Sequence, residues 1–277
     1  MNKEKDYYEK LSESAEYIKG FLSGTPDLAI ILGSGLGSLV ENLEKKVIVE
    51  YSGIPHFPEV TVKGHEGRIV YGEMKGKKVL MFQGRFHYYE GYSMKEVTYP
   101  VYLLKLLSIP RLIVTNSCGG INKDFEPGDL MIIRDYINLM PSNPLIGSND
   151  ERLGTRFPDM SEPFNKEFVE VATKAAETLN LPYKEGVYAS FMGPCYETAA
   201  EIRSMADMGA DTVGMSTVPE TMVANYLGLK VLGISCITNM ATGIQKVKHS
   251  HERVVEIAQK SSVVFCKWVE KIIEEIE

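Results

Sequence analysis

The chain has 277 residues, 44% hydrophobic and 24% charged, with 24 glycines and 13 prolines. That composition excludes fibrous, low-complexity and wholly disordered classes, and the length suits one large domain or two small ones. A formal net charge of −7 argues against holding nucleic acid or an anionic membrane through bulk charge, yet leaves room for a small anion gripped by a few local residues.

Charged and apolar residues alternate at helical spacing through residues 5–22, predicting a helix that stops at Gly24 and Pro26. The same stretch has no apolar core of a signal peptide, and no run approaches the ~18 apolar residues of a membrane span, so a soluble, cytoplasmic protein is expected. Residues 28–32 predict a strand, Gly33-Ser-Gly-Leu-Gly37 a turn and 38–43 a short helix. A further strand is read at 47–50, and 67–73 with 78–82 predict a hairpin about Lys75-Gly76. Residues 94–107 predict a helix tolerating Pro100, 111–115 a buried strand and 129–139 another. The loop from 140 to 163 is rich in Pro, Asn, Ser and Gly and long enough to carry function. Alternation resumes with helix 166–179, strand 186–191, helices 197–208 and 217–227, strand 230–237 and helix 250–276. On the last helix Val254, Val255, Ile257, Ala258, Val264, Trp268, Ile272 and Ile273 form one stripe, predicting a cover over the sheet. Four scattered cysteines with no C-x-x-C pair fit reduced thiols. Without repeats, linkers or charge blocks, 1–277 reads as one α/β domain.

The glycine turn after the first strand tempts toward a dinucleotide fold, with the acid ending 47–50 as ribose partner. Its third glycine comes one residue early, Ser38 stands at the fingerprint position, and no Gly-Lys-Ser/Thr follows. Two readings stay open: a tight turn without ligand, or an anion site of backbone N–H groups, a helix start and the Ser34 hydroxyl. In Gln83-Gly-Arg85-Phe-His87-Tyr-Tyr89-Glu90-Gly91, extended backbone puts Arg85, His87 and Tyr89 on one side. Arginine grips oxyanions bidentately and histidine adds a pH-dependent hydrogen bond; the alternative is a surface hairpin end whose arginine pairs with a nearby acid.

Val114-Thr-Asn-Ser117-Cys-Gly-Gly120 ends a buried strand in small residues, which let backbone approach a ligand, while Cys118 lacks a histidine at nucleophile spacing and reads as a buried thiol. Gly193-Pro-Cys-Tyr196-Glu197 offers a stacking face and a carboxylate, although an acid in a first helical turn is also ordinary capping. Gly214-Met-Ser216 opens another helix with a hydroxyl, and Asn239 ends the last apolar strand in an amide that donates and accepts. His249-Ser-His251, without an acidic partner nearby, reads as solvated or ligand-facing rather than metal-binding. Several strand ends delivering such groups imply one composite pocket at one edge of a sheet.

In their order, Leu32-Gly-Ser-Gly-Leu-Gly37, Gly64-His65-Glu-Gly, Gly84-Arg-Phe-His-Tyr-Tyr-Glu-Gly91, Thr115-Asn-Ser-Cys-Gly-Gly120, Gly193-Pro-Cys-Tyr-Glu-Thr198, Gly214-Met-Ser-Thr-Val-Pro-Glu220 and Thr238-Asn239 resemble the motifs of the trimeric purine nucleoside phosphorylases. The resemblance runs from residue 28 to about 255. It implies a single α/β domain with a mixed, partly barrel-like central sheet flanked by helices, and a homotrimer. The activity it implies is cleavage of purine (deoxy)ribonucleosides by inorganic phosphate, giving free base and (deoxy)ribose 1-phosphate for purine salvage. Phosphate is then a co-substrate, with no metal or organic cofactor, and neither nucleic acid nor membrane is a partner.

Carried over residue by residue, the resemblance implies phosphate among Ser34, Arg85, His87, the backbone N–H of Ser117 and Ser216, with His65 close by. Ribose would meet Tyr89 and Met215, and His251 would orient the 5′-hydroxyl. Tyr196 would stack on the purine, Glu197 would bond its N1 and 2-amino edge, and Asn239 its N7 and O6 edge. Phe157 would reach the neighbouring subunit's site. Catalysis would rest on Asn239, Glu197 and His87. Two positions depart from the mammalian pattern, Met240 for lysine and Tyr196 for phenylalanine, and both bear on base range, xanthosine in particular. The rival activity is methylthioadenosine phosphorylase, which has aspartate at the Asn239 position; an amide favours the 6-oxopurines of inosine and guanosine. From another class comes a non-catalytic purine or phosphate binding module, against which the complete Ser, Arg, His, Glu and Asn set argues.

Overall fold

Strands that are apolar on both faces must be covered from both sides, and this chain meets that demand by alternating strands with helices. The computed structural model describes residues 6–62 and 65–276, so Gly64 and residue 5 of the predicted first helix lie outside the described residues. In chain order the elements are α1 (Tyr7–Lys19), β1 (Leu28–Ile31), β2 (Glu44–Glu50), β3 (Arg68–Met74), β4 (Lys77–Gln83), α2 (Met94–Val97), α3 (Tyr99–Leu106), β5 (Arg111–Gly120), β6 (Leu130–Asn138), α4 (Lys166–Thr178), β7 (Lys184–Ser190), α5 (Ala199–Asp207), β8 (Thr212–Gly214), α6 (Val218–Tyr226), β9 (Lys230–Met240) and α7 (His251–Glu275).

The strands form one mixed sheet in the order β2-β3-β4-β1-β5-β8-β7-β6-β9. β9 also runs parallel to β5 along its whole length, from Arg111 opposite Lys230 to Gly120 opposite Met240. Strands β5, β8, β7, β6 and β9 therefore close into a ring, the partly barrel-like part of the sheet. The predicted hairpin forms between β3 and β4, where Lys75 (φ +50°) and Gly76 (φ +77°) supply the two left-handed residues that a two-residue turn needs. Helix α7 covers the sheet through a fully buried stripe that includes Trp268, whose Nε1–H donates to the Ala172 carbonyl of α4 at 2.9 Å. Phe265, Cys266 and Val269 belong to that stripe, whereas Val264 faces outward with 41% exposure.

Local chemistry corrects several predicted boundaries. Residues 94–107 form two helices rather than one, parted at Thr98, and Pro100 occupies the first turn of α3, where its missing N–H has no intrahelical partner to lose. The short helix after the glycine turn is a 3-10 helix, Gly37–Asn42. Strands β5 and β9 continue past their last apolar residues because their small and polar ends pair with each other. The three-residue β8 was not anticipated at all.

Candidate active site

The ring's strand ends and the turns beyond β1, β4, β7 and β8 surround one cavity of about 320 Å³. Its first wall starts at the glycine turn. Gly33 crosses directly over β5: a Cβ there would lie 2.7 Å from the Asn116 Cα, and the Gly33 N–H donates to Thr115 Oγ1 at 2.9 Å. This crossing fixes Ser34 at the cavity, where the Ser117 hydroxyl donates to the Ser34 carbonyl at 2.7 Å. His65 stands behind Ser34 and does not line the cavity. Its Nδ1 accepts from the Arg85 N–H at 3.2 Å, and burial pushes its pKa down to about 3. The neutral ring therefore carries its proton on Nε2 and donates to Ser34 Oγ at 3.1 Å, leaving the serine's own hydroxyl proton for a ligand.

Arg85 is 3% exposed, which removes the surface-hairpin alternative. Its Nε donates to Glu220 Oε1 at 2.7 Å and one terminal nitrogen donates to the Thr115 carbonyl at 2.8 Å. The other, Nη2, is buried with no acceptor among the described residues. A charged donor in that position is what an oxyanion would satisfy. His87 is held likewise: Nδ1 donates to Glu90 Oε1 at 2.9 Å, so Nε2 is the ring atom left for the cavity. Burial lowers the affinity of His87 for a proton, partly offset by its Glu90 bond. Tyr89 lies parallel to it with centroids 4.7 Å apart. Arg85, His87 and Tyr89 thus share the cavity, while Phe86 is buried in the core. All lie beyond the end of β4, and Tyr89 arrives on a 3-10 turn, Tyr88–Glu90, rather than in the extended chain predicted.

Ser216 reaches the cavity through an uncommon backbone. Thr217 has φ +76° and ψ −50°, and the Val218 N–H donates to the Ser216 carbonyl at 2.8 Å, closing a strained γ-turn at the start of α6. Full burial and a 3.0 Å bond from Asn116 Nδ2 to Thr217 Oγ1 hold it there.

The opposite end of the cavity is built by the turn after β7 and by the end of β9. Tyr196 is 40% exposed, and Glu197 is buried, which raises the pKa of its carboxyl. The capping alternative for Glu197 fails because Thr198 caps α5 with Glu201: the Thr198 N–H donates to Glu201 Oε2 at 2.7 Å, and the Glu201 N–H donates back to Thr198 Oγ1 at 3.3 Å. Asn239 is oriented by Thr238 Oγ1, which donates to its Oδ1 at 3.1 Å, while Nδ2 donates to the Met240 carbonyl at 3.3 Å. Met215 and His251, the first residue of α7, also line the cavity. Phe157 does not; it stands 85% exposed on the 140–163 loop. Cys118 is buried, and burial pushes its thiol up, away from the thiolate a nucleophile requires.

Two residues emerge that sequence reasoning did not assign to the site. Glu220 appears in a quoted motif, but nothing in the chain says that it meets Arg85. His249 stacks on Tyr196 and lies beside Asn239, whereas the sequence reads it only as solvated or ligand-facing, with no partner named. Among the described residues no group of three potential metal ligands occurs, and no helix is long and apolar enough to cross a membrane.

A family model described as the phosphorylase superfamily matches residues 27–274. Purine nucleoside phosphorylase 1 of Geobacillus stearothermophilus is 50% identical over 263 residues, spanning 95% of this chain and 96% of the relative. Purine nucleoside phosphorylase 1 of Bacillus subtilis is 49% identical over 269 residues, spanning 97% and 99%. Among solved structures, Schistosoma mansoni purine nucleoside phosphorylase in complex with inosine superposes with a TM-score of 0.91 at 38% identity, covering 97% of each chain.

Proposed function

This chain belongs to the phosphorylase superfamily, in its purine nucleoside phosphorylase family, and we propose that it cleaves 6-oxopurine nucleosides, inosine and guanosine, with inorganic phosphate. One observation carries the reading: a single cavity has oxyanion donors at one end and an aromatic face, a carboxylate and an amide at the other. Cleavage breaks the bond from C1′ to N9, leaving positive charge on the ribose and negative charge on the purine, while a phosphate oxygen bonds to C1′.

At the phosphate end, Arg85 Nη2, Ser34 and Ser216 donate to phosphate oxygens, joined in this reading by the Ser117 backbone N–H. Neutral His87, its Nδ1–H committed to Glu90, offers Nε2 to the proton of monohydrogen phosphate, so that the bare oxygens face C1′. Arg85 has Glu220 and His87 has Glu90 as companions, so directed donors rather than net charge hold the anion. Ribose lies along Tyr89 and Met215, with His251 at the 5′-hydroxyl. The purine stacks on Tyr196, and its N1–H and 2-amino groups donate to Glu197. Asn239 bonds the N7 and O6 edge, and this bond strengthens as negative charge develops there. The amide also favours a 6-oxo group over the adenine amino group of methylthioadenosine.

The reaction as proposed uses no metal or organic cofactor. The protein works in the cytoplasm as a homotrimer in which Phe157 enters the neighbouring site. Incubation with inosine and phosphate is expected to release hypoxanthine, and omission of phosphate to abolish release. Phosphate-independent cleavage would mean a hydrolase, and faster turnover of methylthioadenosine than of inosine would overturn the role given to Asn239.

A further inference from the structure

We propose that His249 is a built-in occupant of the base seat, so that its imidazole and the purine exclude one another there; the inference rests on the base-site reading above. The seat is defined by the Tyr196 ring and the Asn239 amide, and one side chain already engages both. His249 lies nearly parallel to Tyr196, with centroids 4.7 Å apart and 21° between the planes. Its Nδ1 sits 3.3 Å from Asn239 Nδ2. The chemical match is close, because imidazole is the five-membered half of a purine and its ring lone pair accepts from an amide as N7 does.

Neighbours fix which nitrogen plays that part. Gln245 Nε2 donates to His249 Nδ1 at 3.1 Å, and Thr242 Oγ1 lies 3.0 Å from Nε2. With two amide N–H donors at Nδ1, the ring proton resides on Nε2 and is directed to the threonine oxygen. Among the described residues the partners that hold the ring are all neutral. The supporting segment is suited to yielding: it leaves β9 through Gly243 at φ +84°, and Val247 within it is 54% exposed. A ring lying between Tyr196 and Asn239 has to displace His249 outward with this segment.

Self-occupancy of this kind weakens apparent base affinity by the fraction of molecules in which the seat is clear; three neutral hydrogen bonds and a stacked ring, largely replaced by water when the side chain moves out, correspond to roughly tenfold. Calorimetric titration of hypoxanthine into the whole protein tests the idea, with phosphorolysis of inosine by wild type measured alongside. His249→Ala is expected to bind hypoxanthine about tenfold more tightly than wild type. Added imidazole is expected to compete with hypoxanthine in that variant far more than in wild type. Thr242→Val, which only loosens the ring's anchor, is expected to shift affinity the same way by a smaller factor and covers the case in which His249→Ala does not fold.

Equal or weaker binding in the variants, beside a wild type that binds hypoxanthine and cleaves inosine, would overturn the proposal and make His249 a wall or partner of the base. A wild type that neither binds hypoxanthine nor cleaves inosine would instead sink the base-site reading itself, and this proposal with it.

Discussion

Asn239 has little freedom in which atom it offers a ligand, since the Thr238 hydroxyl binds its oxygen and neighbouring acceptors bind its nitrogen. Asn239→Ala should therefore lower kcat for inosine by about 10²–10³ while leaving the phosphate KM nearly unchanged, as steady-state kinetics with each substrate varied will reveal. His65 makes a different prediction. Below its ordinary pKa of 6.5 the unfolded chain binds a proton that the folded ring refuses until about pH 3. The unfolded state then holds more protons, so stability falls as the pH falls through that window. The ring keeps some contact with solvent, which narrows this window, and within it one proton gives at most about 1.4 kcal/mol per pH unit. A urea-unfolding series from neutral pH downward should show a steeper loss for wild type than for His65→Gln. Arg85 and His87 were legible at this scale because alternate positions just beyond β4 aim them together. Glu220 was not, since its contact with Arg85 spans 135 positions and only the fold creates it.

Among the elements, β5 and β9 decide the geometry of the site. Their parallel register sets Ser117 opposite Cys236, and an irregularity after Cys118 brings Gly119 opposite Asn239. The proposed anion end and the proposed base end are thus carried on adjacent strands of one ladder. Reading the sequence ends both strands early, because Asn, Ser, Gly and Thr look like loop residues until a partner strand supplies their hydrogen bonds. β8 has three residues, too few for any period to show. The glycine turn was legible as a strand-to-helix turn, but its purpose was not. Gly33 is required by the close passage over Asn116 rather than by a ligand fingerprint. Gly33→Ala should lower stability by about 1–3 kcal/mol, because backbone rather than a flexible side chain blocks the new methyl. It should also raise the phosphate KM by shifting Ser34, which thermal melts and phosphate titration of the initial rate can separate.

For the molecule as a whole, closure of the ring was beyond direct reading of the sequence, since strands far apart in the chain must meet; only the family resemblance anticipated it. Net charge illustrates the same point. The value of −7 belongs to the surface, because the buried Arg85 has a buried carboxylate of its own. Phe157 and Ile146 are 85% and 66% exposed on the 140–163 loop, an arrangement that suits contact with a second copy. In the proposed trimer, Phe157→Ala should raise the inosine KM several-fold without changing phosphate affinity, and sedimentation should report a mass three times that of the chain for wild type. Ring closure has one more effect, on how the protein meets its own kind in a crowded solution. Among the described residues the sheet keeps one lateral strand without a second neighbour, β2. That strand carries Glu44, Lys45, Lys46 and Glu50 and shifts register between Glu44 and Val47, leaving Ile48 as its exposed apolar side chain. Charge and a kink together make a poor template for an incoming strand, so the single row of unpaired backbone groups is guarded against fibrous stacking.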